Sequence, residues 1–218
     1  GRWSRGLGDV YKRQGQDYEP YVQQNVLKPL GITSMRIGAT RRSQRCDGEV
    51  CYYHPDFGSS VFQSDLGQRV PPPYGAWHLE AMDSHGGWIA SAIDLARFAS
   101  AFDDRDHCPI LGRESIELMQ ARPDGLAGHD AGGDPKAKYY SLGWSNRVVG
   151  DGKLNHWHGG SLPGTSTILI RRHDGRNFVA LLNARVSPSD QSISGIVDKM
   201  LHKAANEVES WPQRDLFD

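Results

Sequence analysis

The segment best suited to chemistry is Trp157-His158-Gly159-Gly160-Ser161-Leu162-Pro163-Gly164. It ends a predicted strand and opens a tight turn at Pro163-Gly164. Two successive glycines on a strand leave the backbone bare, so a substrate backbone can lie close to it. The amide of Ser161 is then available to a developing oxyanion. The His158 imidazole can hydrogen-bond a substrate carbonyl or carboxylate. A plainer reading stands beside this one: a hairpin that needs glycine for its turn, with a partly exposed histidine.

Two other chemistries compete for the same residues. His156 and His158 are two apart on a strand and point to one face. With His54, His78 or His85, and with Cys46 and Cys51 near His54, they could hold a metal. The chain has no His-Glu-x-x-His and no paired Cys-x-x-Cys, so the usual ligand spacing is missing. An α/β-hydrolase would use His-Gly-Gly as part of an oxyanion hole, but it needs a later Gly-x-Ser-x-Gly. Here Ser161 is followed by Leu162 and Pro163. Neither a metal nor an organic cofactor is expected. Cys46 and Cys51 flank the turn Asp47-Gly48, which suits either a disulfide or two free thiols. Cys108 has no evident partner.

The elements that must position these groups are legible from period and punctuation. Apolar spacing predicts helices over 17–27, 91–102, 112–121 and 191–208. Ser91, with Asp94 three residues on, resembles a capping box. Residues 36–73 are polar and turn-rich, with short strands expected around Val50 to Tyr53 and a proline run at Pro71 to Pro73. After residue 138 the period changes to two. Strands are expected over 140–149, 154–161, 165–172 and 177–182, joined by short glycine-bearing hairpin turns. Consecutive hairpins give an antiparallel meander, and the last helix should pack on it. The fold class is α+β. A helical and loop part spans 15–138, the sheet with the last helix spans 139–208, and 209–218 is a tail.

Composition narrows the function. The chain has 218 residues, with Lys+Arg 25 against Asp+Glu 26 and a net charge of -1. That balance argues against nucleic-acid binding. No apolar run approaches the ~18–20 residues that span a bilayer. Residues 1–14 (GRWSRGLGDVYKRQ) show neither period and hold four basic residues against one acid. They read as translated adapter or vector sequence, with a flexible native tail as the alternative. They also lack the apolar centre of a signal peptide.

Five segments, in order, resemble the serine β-lactamase and penicillin-binding-protein-like hydrolases. The His-Gly-Gly strand is similar to that family's third active-site motif, most of all in the class C β-lactamase-related esterases and peptidases, where Lys-Thr-Gly is often replaced by His-x-Gly. Tyr18 to Ile32 resembles the helix that leads to Pro-Leu-Gly-Met. Gly86-Gly87-Trp88 to Phe98 resembles the Gly-Gly loop and the helix after it. Tyr140-Ser141-Leu142-Gly143-Trp144 resembles the Tyr-x-Leu-Gly-Trp strand, and Leu181-Leu182-Asn183 the end of the late strand. The resemblance covers roughly residues 15–205.

The resemblance implies an acyl-enzyme on a serine, with esters, peptidoglycan-type D-amino-acid amides or β-lactams as substrates. It implies that His158 touches substrate and that Ser161 offers its N–H to the oxyanion. Gly159 and Gly160 would line the substrate strand, and Gly86 and Gly87 would form a loop near the cleft. Asp83 and His85 would fix that loop. The chain departs from the family where it matters most. No lysine has a serine three residues before it, so Ser-x-x-Lys is missing. No tyrosine is followed at plus two by asparagine, so Tyr-x-Asn is missing too. A C-terminal fragment, inactive as given, is the expectation. A non-catalytic binding module with the same cleft is the alternative. For a full-length enzyme, export to the periplasm or outside the cell would fit, and the oligomeric state is open.

Overall fold

The fold is built on one antiparallel sheet of five strands that lie side by side in chain order. The computed structural model describes residues 15–213 and residue 217. The reading of residues 1–14 as foreign therefore falls outside the described residues. Chain order begins with α1 (Tyr18–Val22), which continues as a π-helical turn over Gln23–Leu27 and a 3₁₀ turn over Lys28–Leu30. Pro29 has no N–H to extend the ladder, and Gly31, at φ 68°, closes the helix. Two small antiparallel pairs follow: β1 (Arg36–Ile37) with β4 (Trp88–Ile89), and β2 (Gly58–Ser59) with β3 (Arg69–Val70). The strands expected around Val50 to Tyr53 do not form. Only Tyr53 pairs there, in a single parallel bridge to Ala184.

Helix α2 (Ala92–Ser100) starts where the sequence places it, with Ser91 Oγ accepting from Asp94 N–H at 3.0 Å. The capping box is only half made, because the Asp94 carboxylate takes the Ser34 hydroxyl instead. Helix α3 (Arg113–Gln120) follows. The meander comprises β5 (Lys138–Tyr140), β6 (Ser145–Val148), β7 (Leu154–Leu162), β8 (Thr165–Arg171) and β9 (Asn177–Leu182). The single strand expected over 140–149 is thus two strands. Gly143 adopts φ 85°, and Ser141 N–H bonds back to Trp144 C=O at 2.8 Å, so the chain reverses between them. Helix α4 (Ile193–Glu207) ends the fold. Among the described residues, no helix is long and apolar enough to cross a membrane.

Helices cover both faces of the sheet. Leu169 and Val179 pack with Phe98, Ala99, Phe102, Ile116 and Trp144 from one side. On the other, Phe178 meets the His202 ring edge-on at 5.9 Å, and Ser166 Oγ accepts from Ser194 N–H at the start of α4. A second small core of Leu27, Ile32 and Met35 ties α1 to Trp88 and Leu95. The residues between β1 and β4 are held by polar anchors. Asp65 accepts from both Arg41 and Ser60, and Glu80 accepts from Thr40 N–H and Oγ1 at 2.9 and 2.6 Å.

The β7–β8 turn is wedged against this excursion. Gly164 adopts φ 85°, and a Cβ there would lie 2.5 Å from Pro73 Cγ and 3.0 Å from Tyr52 Cβ. Both backbone strain and overlap oppose any side chain at this position. Gly164→Ala should lower the free energy of unfolding by about 2–4 kcal/mol. Gly175→Ala, at φ 79° with open space around it, should cost only about 1 kcal/mol. Urea denaturation of the two variants checks the difference.

Candidate active site

Strand β7 is long enough to do two jobs. Its first part, 154–157, is paired with β6, and residues 156 and 157 are paired with β8 as well. Its second half, 158–162, is bonded to β8 alone, because β6 starts at Ser145, opposite Trp157. Among the described residues no strand occupies the other edge. The register then fixes which backbone groups face that opening. Leu162 pairs with Thr165 across a two-residue turn, so the pair must exchange its own hydrogen bonds. In an antiparallel ladder the inward-bonded residues alternate. Leu162, Gly160 and His158 therefore bond to β8, while Ser161 and Gly159 aim their N–H and C=O out of the open edge.

Side chains alternate in the same way. His158 lies on the α2/α3 face, opposite Leu169, with its Nε2 3.3 Å from the Tyr140 hydroxyl. Both groups are exposed. Trp157 lies on the α4 face beside its cross-strand partner Ile170, as expected from its parity. A Cβ on Gly160 would lie 2.5 Å from Thr167 Oγ1, so packing on β8 disfavours a side chain there. A Cβ on Gly159 would make only ordinary contacts at 3.5–3.6 Å. Its bareness instead leaves the strand surface clear. Ser161 Oγ accepts from Arg185 Nε at 3.1 Å, just beyond the end of β9.

His156 shares a face with His158 but lives in a different medium. It is buried, and its Nδ1 is 2.6 Å from Oδ1 of the fully buried Asn146. Burial, with Arg171 and Arg105 adding positive charge, pulls its pKa down to about 4. Beside it Arg171 and Asn177 both reach Asp103, at 3.1 and 2.8 Å. This is a neutral imidazole in a polar seam between sheet and helices. Among the described residues no three His, Cys, Asp or Glu side chains gather as a metal site would require. Cys46, Cys51 and Cys108 are free thiols.

Gly86 and Gly87 lie on the loop that leads into β4. Gly86 takes φ 103°, and Asp83 is strained at φ 45°. Gly87 N–H bonds to Asp83 C=O at 3.0 Å, while its own C=O accepts from Gly38. The Asp83 carboxyl is held above its usual range by burial and by Glu19 and Asp17. This loop belongs with α1 and β1, and His85 is exposed on it. No hydrogen bond among the described residues joins it to β7. Sequence reasoning passed over Arg185 and the Tyr140 hydroxyl as site groups. Tyr140 carries a signal, being at the head of the Tyr-x-Leu-Gly-Trp segment, whereas nothing local marks Arg185.

An antiparallel sheet with helices on both faces and a His-Gly-Gly strand at an open edge defines a β-lactamase and transpeptidase-like α+β protein. The chain belongs to the beta-lactamase family, whose model matches residues 4–197. Solved structures agree on the fold. A D-amino acid amidase from Ochrobactrum anthropi complexed with D-phenylalanine aligns at a TM-score of 0.61 and 16% identity, over 93% of this chain and 56% of that one. The octameric penicillin-binding protein homologue from Pyrococcus abyssi aligns at 0.59 and 23% identity, over 90% and 40%. A D-stereospecific amidohydrolase from Streptomyces sp. aligns at 0.58 and 19% identity, over 87% and 49%. The chain thus spans about half the length of these structures. Comparison with curated proteins found no match.

The buried imidazole sets a pH dependence of stability. In the unfolded chain His156 protonates near 6.5, and in the fold only near 4. Its contribution is complete above about 6.5 and is lost as pH falls from 6.5 towards 4, because the unfolded state then binds the extra proton. The loss should reach about 3 kcal/mol. His156→Gln should remove that one-proton slope, which urea denaturation of both proteins between pH 7 and 4 would show.

Proposed function

We propose that this chain is the substrate-strand portion of a serine hydrolase that works through an acyl-enzyme. The observation that carries the reading is the open edge of β7 from His158 to Leu162. An extended acyl substrate laid along that edge would pair with the outward N–H and C=O of Gly159, as an added strand does. Its carbonyl oxygen would meet the Ser161 N–H, one of the two donors an oxyanion hole needs. His158, held by Tyr140, would contact the substrate from the α2/α3 face. Gly160 would keep β8 close behind. Gly86 and Gly87 would act as a rim loop, ordered by the strained backbone at Asp83.

The nucleophile is not in this sequence. No Ser-x-x-Lys is present, and no other serine here has a lysine at that spacing to act as its base. The chain as given is therefore inactive, and it stands for the C-terminal portion of the catalytic domain. Substrates of the whole enzyme would be esters, D-amino-acid amides or β-lactams. The amidase and amidohydrolase names among the structural neighbours favour amides. The class C-related subgroup is favoured by His in place of Lys in the third motif.

Two measurements test this. A fluorophosphonate probe and a fluorescent penicillin should leave the chain unlabelled, and covalent labelling of any serine would overturn the inactivity. The source DNA upstream of the Gly15 codon should carry a continuous frame with Tyr-x-Asn about twenty residues back and Ser-x-x-Lys well before it. A native frame without those motifs would instead favour a binding module that keeps the cleft.

A further inference from the structure

One polar residue from each strand of the large sheet falls on a single cross-strand row. Tyr139 pairs with Asn146, Asn146 with His156, His156 with Arg171 and Arg171 with Asn177. The middle of a covered sheet is ordinarily apolar. Here the row faces α2 and α3, and three polar residues close over it. Asp103, from the chain after α2, takes Arg171 at 3.1 Å. Gln120, the last residue of α3, accepts the Tyr139 hydroxyl on its C=O at 3.1 Å. Arg105 joins the two ends, its Nη2 donating to Gln120 Oε1 at 3.0 Å.

The acids around this seam are all committed. Asp103 holds Arg171 and Asn177, Asp104 holds His107 at 2.8 Å, and Asp106 holds Arg113. Arg105 stands among them in the chain and is bonded to an amide oxygen instead of a carboxylate. Asp103 offsets Arg171, and the His156 imidazole is neutral, so one positive charge is unmatched. Burial pulls the pKa of Arg171 and of His156 down, and the charge of Arg105 adds to both shifts.

Two donors are left over as well. Gln120 is 6% exposed and Arg171 8%. With its Oε1 on Arg105, Gln120 can use Nε2 only as a donor. That Nε2 and Arg171 Nε are buried and find no partner among the described residues. Buried N–H groups without an acceptor are rare in folded proteins. The acceptor left over in the row, Asn177 Oδ1, lies past Arg171 on β9, so the Gln120 side holds donors only. Unmatched positive charge beside buried donors suits a small acceptor with one negative charge.

We propose that this seam is a halide site, filled by chloride in ordinary saline. Arg105, which is exposed, would form its mouth, with Gln120 Nε2 and Arg171 as its inner wall. The ion would tie the end of α3 to the sheet. It takes no part in chemistry at the open edge of β7, so the proposal stands apart from the reading of that edge as a substrate strand.

The test is urea unfolding of this chain in sodium chloride against sodium gluconate at equal ionic strength, with a chlorine-35 NMR titration to give the Kd. Chloride at about ten times its Kd should raise the ratio of folded to unfolded chain about tenfold over gluconate. The chain should broaden the chlorine-35 signal, and bromide should narrow it again by competition. Arg105→Gln should lose most of the gain and the broadening. Lys199→Gln, which removes a charge from the exposed side of α4, should keep both. Gln120→Glu brings its own negative charge to Arg105, so this variant should fold and be indifferent to chloride. Equal stability in the two salts without broadening would mean that water satisfies these donors, and the proposal would fall. A chloride gain of wild-type size in Arg105→Gln would make it a general salt effect and would also overturn the site.

Discussion

The stretch of β7 from His158 to Leu162 is bonded throughout to β8 and not at all to β6. This asymmetry of pairing is the constraint from which the rest of the site follows. Full pairing with β8 makes the strand rigid, so its free edge is held in a fixed place. Missing pairing with β6 leaves a row of donors and acceptors at that edge that water or a ligand must satisfy. A loop could display the same residues, but it would have to give up more conformational entropy on ligand binding. The two-residue turn at Pro163-Gly164 decides which residues face outward, because it fixes the alternation to the residue.

Two kinds of packing keep that strand where it is. On the α2/α3 face, an apolar cluster around Phe102, Ile116 and Leu169 sits next to the polar seam of His156, Asn146, Arg171 and Asp103. A buried polar seam tolerates few alternative arrangements, since each unpaired group would cost about 1–3 kcal/mol. It therefore specifies how helix and strand meet as well as holding them together. At the tip of the hairpin, Gly164 lets Pro73 and Tyr52 close in. The excursion between β1 and β4 is thereby clamped onto the sheet. The same clamp carries Tyr53 and His54 to a cavity that Arg185 also lines. Site and scaffold thus depend on one contact, although they belong to segments far apart in the chain.

The histidines show how environment separates like residues. His156 and His158 share a strand, a face and a chemical type. One is buried against an asparagine with its proton affinity suppressed, and the other stands exposed beside a tyrosine. Two strand residues of separation carry it from the middle of the sheet to the open edge. The spacing that suggested a shared metal is the spacing that divides their roles.

Local pattern alone was enough for much of this protein. The period-two runs, the glycine turns and the Ser91 cap placed β7, β8, β9 and α2 within a residue or two, because each signal lies within a few neighbouring residues. The bare backbone of His158-Gly159-Gly160-Ser161 was visible for the same reason. In the meander the pattern failed at one place, where Gly143, with φ positive, turned one expected strand into two. The tertiary structure decided what no window could. It set where β6 begins, and so which half of β7 is open. It put Gly86 and Gly87 with α1, since β1 and not the large sheet pairs with β4. It brought Arg185 onto Ser161 across 24 residues and the Cys51 carbonyl onto Asn183 across 132. Edges and pockets are properties of which segments meet, and that is fixed by the burial of the whole chain rather than by the preference of any part of it.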